Sequence, residues 1–130
     1  MTAAAALVGA WLKSRTDRRQ ELRRERREVY ERFHHAGVRM WETLGRIRRT
    51  VDGPDEPAEA DLRAANDALV EFGKVYGELS MVASDDVWIA ARPMFDEMRS
   101  AVAERRLPSG PADDNHDEEL RRLIRRDLRR

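Results

Sequence analysis

Apolar side chains recur at intervals of three and four residues along most of this chain, and that spacing restricts the fold more than any other feature. The first series consists of Tyr30, Phe33, Gly37, Met40, Leu44, Ile47 and Val51. Residues at this spacing share one face of an α-helix, whereas a half-buried strand alternates apolar and polar residues. The chain contains no strand-type alternation. The sequence therefore predicts an all-α protein.

Two further series follow a break in the chain. The break, residues 52–57, holds one glycine and two prolines among acidic residues, a composition typical of a loop. A second helix should begin near Pro57 or Ala58, because proline is preorganised for the first helical turn. Its apolar series is Leu62, Ala65, Leu69, Phe72, Tyr76, Leu79 and Ala83.

A third helix is expected after Ser84. The serine hydroxyl can accept a hydrogen bond from the first turn, and the two aspartates that follow suit the positive end of the helix dipole. The apolar face of this helix consists of Val87, Ala91, Met94, Met98 and Val102. We expect the helix to end near Arg106, before a loop that contains two prolines and a glycine.

The C-terminal segment predicts a polar fourth helix, because its acidic residues precede its arginines in the order that the helix dipole favours. Its narrow apolar stripe consists of Leu120, Leu123, Ile124 and Leu128. The predicted architecture is a long N-terminal helix, reaching about Thr50, packed with two shorter antiparallel helices as a three-helix bundle, plus this polar C-terminal helix. We expect the fourth helix to dock on the bundle or on the charged N-terminal part of the chain.

Charge and hydropathy divide the chain into four parts. Residues 1–12 are an apolar anchor segment, and residues 13–28 are a charged helical stalk with one aliphatic residue, Leu22. Residues 29–107 form the antiparallel helical bundle, and residues 108–130 form a loop and the polar C-terminal helix. Within the stalk, opposite charges such as Arg24 and Glu28 lie at i,i+4, where each pair stabilises a helix by about 0.2–0.5 kcal/mol.

The switch from apolar anchor to charged stalk has the pattern of the cytoplasmic end of a membrane helix, where tryptophan and positive charge follow the apolar part. A spanning helix needs about 20 apolar residues, and residues 1–12 supply about half of them. The segment is interpreted as a truncated transmembrane helix whose outer half precedes Met1, as a segment lying in the membrane interface, or as an apolar helix end packed on protein. The predicted membrane-contact residues are Leu7, Val8, Trp11, Leu12, Lys13, Arg15, Arg18 and Arg19.

The composition and the absence of known motifs argue against catalytic, cofactor-binding and metal-binding functions. The 25 basic and 25 acidic residues balance, and the absence of cysteine excludes disulfides and thiolate chemistry. The sequence contains no zinc-protease, dinucleotide-binding, phosphate-loop or serine-hydrolase motif. His34 and His35 are adjacent, so on a helix they point about 100° apart and do not share a metal-binding face. We therefore predict a protein that is not an enzyme and has no catalytic, cofactor-binding or metal site.

The stalk leaves two alternatives to membrane attachment. Between Lys13 and Arg32, nine basic and five acidic residues leave a net charge of +4, which favours binding to phosphates. The acids alternate with the arginines, however, a pattern that indicates ion pairs rather than one basic face. The heptad-like spacing of the long helix, similar to that of a coiled coil, is compatible with dimerisation.

Three short motifs support a resemblance to known proteins. They are Arg26-Arg27-Glu28-Val29-Tyr30-Glu31-Arg32-Phe33, Leu79-Ser80-Met81-Val82-Ala83-Ser84 and Arg125-Arg126-Asp127-Leu128. With the apolar anchor segment, they resemble uncharacterised small proteins of actinobacteria or actinophages that have an N-terminal hydrophobic anchor and an Arg/Glu-rich helical cytoplasmic domain. The resemblance implies a membrane-tethered cytoplasmic helical domain with no assigned activity or catalytic residue.

The leading hypothesis is a non-enzymatic, membrane-associated helical interaction module at the cell membrane, with the bulk of the chain in the cytoplasm. The first alternative is a soluble cytoplasmic scaffold that dimerises through its long N-terminal helix. The second is nucleic-acid binding by the Arg-rich helix. The expected partners are the membrane surface or bilayer and a second copy of the chain; the sequence identifies neither a protein partner nor a biological process.

Overall fold

A computed structural model describes residues 3–51, 57–108 and 114–129, with side chains described for all of these except residues 50, 51 and 114–117. The described residues form four helices and no strand, which confirms the all-α prediction. The helices are α1 (Ala3–Val51), α2 (Glu59–Val82), α3 (Asp85–Glu104) and α4 (Asp114–Arg129). Helix α1 has 49 residues and is about twice as long as α2, which has 24.

The ends of α3 follow from local backbone chemistry. The hydroxyl of Ser84 accepts a hydrogen bond from the backbone N–H of Val87 at 3.4 Å, so the helix begins directly after the predicted cap. It ends two residues earlier than expected, at Glu104, because Arg105 adopts the left-handed conformation with φ of 55°. The N–H of Arg106 then donates to the carbonyl of Ala101, which closes the helix.

Helix α2 runs opposite to α1, and α3 runs opposite to α2, where these helices touch. Residues later in α1 contact residues earlier in α2. Likewise, residues later in α2 contact residues earlier in α3. The contacts that fix these directions are Arg26 with Val82, Arg32 with Glu78, Phe72 with Phe95 and Tyr76 with Trp88. Helix α4 packs against both α3 and α1.

The core lies between the second half of α1 and the facing sides of the other helices. Its largest fully buried apolar side chains are Phe72, Met40, Leu44, Ile47, Leu79 and Val87. The rings of Phe33 and Phe72 stack at 5.0 Å between centroids, and those of Tyr76 and Phe95 stack at 4.8 Å. Such pairs contribute about 0.5–1.5 kcal/mol each beyond their buried area. The core begins at Val29, which leaves the preceding part of α1 outside it.

Candidate functional site

The first part of α1 extends away from the packed helices. Every residue from Ala3 to Glu25 is exposed, and Val29 and Tyr30 are the first buried residues of the helix. We call residues 3–25 the arm. At about 1.5 Å per residue, the arm is about 35 Å long. The arm and the core half of α1 belong to one uninterrupted helix, Ala3–Val51.

All eight predicted membrane-contact residues lie on the arm and are exposed. The four apolar ones have large exposed fractions: Leu7 70%, Val8 57%, Trp11 59% and Leu12 51%. A contiguous group of large apolar side chains exposed to solvent is typical of a site for protein or membrane contact. In the described part of the chain, no helix combines the length and apolar character needed to cross a bilayer.

Trp11 marks the boundary between the apolar and charged parts of the arm. The guanidinium carbon of Arg15 lies 5.4 Å from the centroid of the Trp11 ring, a cation–π distance. One turn beyond Leu12, the Thr16 hydroxyl donates to the backbone carbonyl of Leu12 at 2.9 Å. This bond keeps the Thr16 hydroxyl against the helix surface. The arm therefore changes from apolar on all sides to charged within about one helical turn.

A buried polar cluster lies where the arm enters the core. The Tyr30 hydroxyl donates to Oδ2 of Asp127 at 2.6 Å, and the backbone N–H of Ser84 donates to the same oxygen at 3.0 Å. Nearby, Nε of Arg26 donates to the carbonyl of Val82 at 2.7 Å. These bonds join α1, the turn between α2 and α3, and α4 at one point.

The electrostatics of this cluster favour the ionised form of Asp127. Burial opposes ionisation of the carboxyl, but the hydrogen bonds from Tyr30 and Ser84 outweigh that effect and hold the pKa of Asp127 below its ordinary value. Burial, reinforced by the bond to Asp127, raises the pKa of Tyr30. The neighbouring Arg126 pairs with Asp86 at 2.6 Å, which adds a second link between α4 and the start of α3.

Sequence reasoning missed Asp127 as a buried residue. In the sequence it stands out only as part of the Arg125-Arg126-Asp127-Leu128 motif, whereas in the structure it is fully buried. One signal could have found it: Asp127 is the only acid after Glu119, and it lies seven residues after Leu120 on the apolar stripe of α4. An isolated carboxylate at a stripe position indicates a buried, hydrogen-bonded group.

The two histidines whose side chains the structure describes are neighbours on the surface of α1. His34 and His35 are both exposed, with ring centroids 5.9 Å apart. Within the described ranges, no three or more histidine, aspartate or glutamate side chains come together as a metal site would need. The Tyr30–Asp127 pair serves as a contact between α1 and α4.

Comparison of the chain with protein-family models, with curated proteins and with solved structures finds no match.

Proposed function

We propose that this protein is a membrane-associated helical interaction module, in which the tip of the arm, residues 3–12, enters the surface of a membrane. The bulk of the chain is then a three-helix bundle with a polar fourth helix, held on the cytoplasmic side. The observation that carries this proposal is the exposure of four large apolar side chains at the tip, directly followed by arginines. Attachment requires no spanning helix, since a short apolar segment can lie in the interface.

The chemistry of the tip suits a lipid surface. Complete burial of a large apolar side chain contributes about 1.5–3 kcal/mol, so four such side chains supply substantial binding energy even when immersed in part. Each basic residue near an anionic surface adds about 1 kcal/mol. Lys13, Arg15, Arg18 and Arg19 supply this term, which Asp17 partly offsets. Trp11 lies where the apolar part stops, the position that tryptophan favours at a membrane interface.

The arm suits a membrane better than a coiled-coil dimer. Continuing the 3-4 spacing backward from Tyr30 gives Arg26, Arg23, Arg19, Thr16 and Leu12 as the positions that would face a partner helix. A parallel dimer would place arginines opposite arginines along this seam, where coiled coils need apolar residues. The tip is apolar on all sides rather than along one stripe, which fits immersion in lipid.

The proposal is tested by flotation of the full chain with vesicles of phosphatidylcholine alone and of phosphatidylcholine mixed with phosphatidylglycerol. The double variant Leu7→Ser with Leu12→Ser removes apolar surface from the tip. The matched control, Val70→Ser with Met81→Ser, removes two side chains of α2 that are 61% and 83% exposed. We expect the tip variant to bind mixed vesicles at least about tenfold more weakly, a difference of about 1.4 kcal/mol, and the control to bind like the wild type.

The salt dependence of vesicle binding and the mass of the protein in solution distinguish membrane attachment from the dimeric scaffold. Binding to mixed vesicles should weaken as salt rises, because screening shortens the reach of the arginines. Equal flotation of the tip variant and the wild type, or no flotation of either, would contradict the proposal. A doubled mass in solution that survives the tip substitutions would favour the dimeric scaffold instead.

A further inference from the structure

A second exposed site lies near the opposite end of α1 from the arm. A groove of about 500 Å³ runs between the outer face of α1 and Leu107, which follows α3. It is independent of the arm, because about 37 residues separate Val8 from Gly45 along one helix, a distance of about 55 Å. That separation exceeds the reach of electrostatic effects at physiological salt, about 8 Å.

The floor of the groove is apolar. The Trp41 side chain is 42% exposed although α1 buries the adjacent Met40 completely. One turn further, Gly45 leaves a gap, since a Cβ at that position would meet no atom within 4 Å. Leu107, which is half-buried, also lines the groove. Together these residues offer space for one aliphatic side chain against an aromatic face.

The edges of the groove are basic. Arg46, Arg48 and Arg49 line it together with one acid, Glu42, and all four side chains are exposed. Tryptophan and arginine are the residue types that most often dominate binding energy at protein interfaces. Among the described residues that line the groove, three arginines against one glutamate favour a partner with negative charge around an apolar residue.

The open shape of the groove discriminates between kinds of ligand. Sites for small molecules enclose most of the ligand surface, whereas this groove is largely open to solvent. An extended or helical peptide lies in such a groove with one side chain as its anchor. We propose that the groove between Trp41, Gly45 and Leu107 is a docking site for an acidic peptide segment of a partner protein, anchored by one aliphatic side chain at Gly45.

The test uses the indole N–H signals of the full chain in a ¹⁵N–¹H NMR spectrum. The protein has three tryptophans: Trp11 on the arm, Trp88 in the aromatic stack and Trp41 in the groove. The probe is a short peptide of glutamates around one central leucine. We expect this peptide to shift the Trp41 signal in a saturable manner and to leave the Trp11 and Trp88 signals in place.

A glycine substitution tests the anchor position directly. Gly45→Leu fills the gap from within and should weaken binding of the peptide at least about tenfold, or about 1.4 kcal/mol. Gly77→Leu is the matched control, because Gly77 also lies in a helix and a Cβ there would meet no atom within 4 Å. Both changes favour the helix, so loss of folding does not account for a difference between them.

Two peptide controls and one lipid control complete the test. Replacing the central leucine by serine should weaken binding, and replacing the glutamates by lysines should abolish it. The proposal is overturned if the glutamate–leucine peptide leaves the Trp41 signal unmoved, or if Gly45→Leu binds it like Gly77→Leu. It is also overturned if only anionic vesicles shift Trp41, which would make the groove a second lipid contact. These results do not depend on whether the arm binds membranes.

Discussion

Asp127 shows how one residue can hold three parts of a helical protein together. A buried carboxylate is costly unless donors satisfy it, and here a hydroxyl from α1 and a backbone N–H from the α2–α3 turn converge on Oδ2. No donor within the described ranges contacts Oδ1. The residue therefore fixes the position of α4 through directional bonds, while Leu120 and Leu123 supply apolar contact.

Removing the hydroxyl of Tyr30 should destabilise the protein. Tyr30→Phe deletes one of the donors to a buried carboxylate, and a hydrogen bond to a charged group contributes about 1.5–3 kcal/mol. Tyr76→Phe is the matched control, because the Tyr76 hydroxyl is buried without a hydrogen-bond partner among the described residues. Urea unfolding should give a lower free energy for Tyr30→Phe and an unchanged or higher one for Tyr76→Phe. Equal losses would contradict the role given to the Tyr30–Asp127 bond.

The same cluster predicts a dependence of stability on pH. The pKa of Asp127 is lower in the folded state than its ordinary value of 3.8, so ionisation stabilises the folded protein. This contribution is complete above the unfolded pKa and is lost as pH falls through the lower folded pKa. The difference in unfolding free energy between the wild type and Asp127→Asn should therefore shrink as pH falls below about 4.

A control separates this effect from general acid destabilisation. Asp67 is exposed on α2, so Asp67→Asn should follow the wild type across the same pH series. If the gap between the wild type and Asp127→Asn stays constant down to strongly acidic pH, the ionised carboxylate is not the source of the stabilisation.

At the scale of the elements, spacing and capping residues predict much of the structure, and long-range polar contacts do not follow from them. The helical periodicity through Phe33, Met40 and Leu44 reflects local geometry, so it can be read from sequence, as can the cap at Ser84. The pairing of Tyr30 with Asp127 joins residues 97 positions apart and depends on where α4 docks. The groove at Gly45 was missed for the same reason, since Leu107 comes from another part of the chain.

Helix α4 should depend on its narrow apolar stripe for attachment. Leu123 is 6% exposed in the core cluster, and truncation of a buried leucine to alanine costs about 2–5 kcal/mol. Leu22→Ala on the arm is the matched control, because Leu22 is 40% exposed. We expect thermal unfolding of Leu123→Ala at a clearly lower temperature and little change for Leu22→Ala. A similar loss in both variants would mean that the arm packs on protein in solution.

At the scale of the whole molecule, the length of α1 sets the shape. Its 49 residues extend about 73 Å, whereas a compact chain of this length has a radius of gyration of about 14 Å. Small-angle X-ray scattering should give a radius well above that value for the full chain. Deletion of residues 3–25 should bring the radius close to the compact value and leave the unfolding temperature nearly unchanged. A compact full chain would contradict an extended arm, and forward scattering of twice the expected intensity would indicate a dimer.

Because α1 is one continuous helix, the number of residues in the arm sets the distance between its tip and the core. Each residue inserted between Trp11 and Arg26 would lengthen the helix by about 1.5 Å and rotate the tip by about 100° relative to the core. Rotation matters little, because the tip is apolar on every side. Insertions and deletions in the arm would therefore change the distance between tip and core in steps of about 1.5 Å, and the tip would still present apolar side chains on every side.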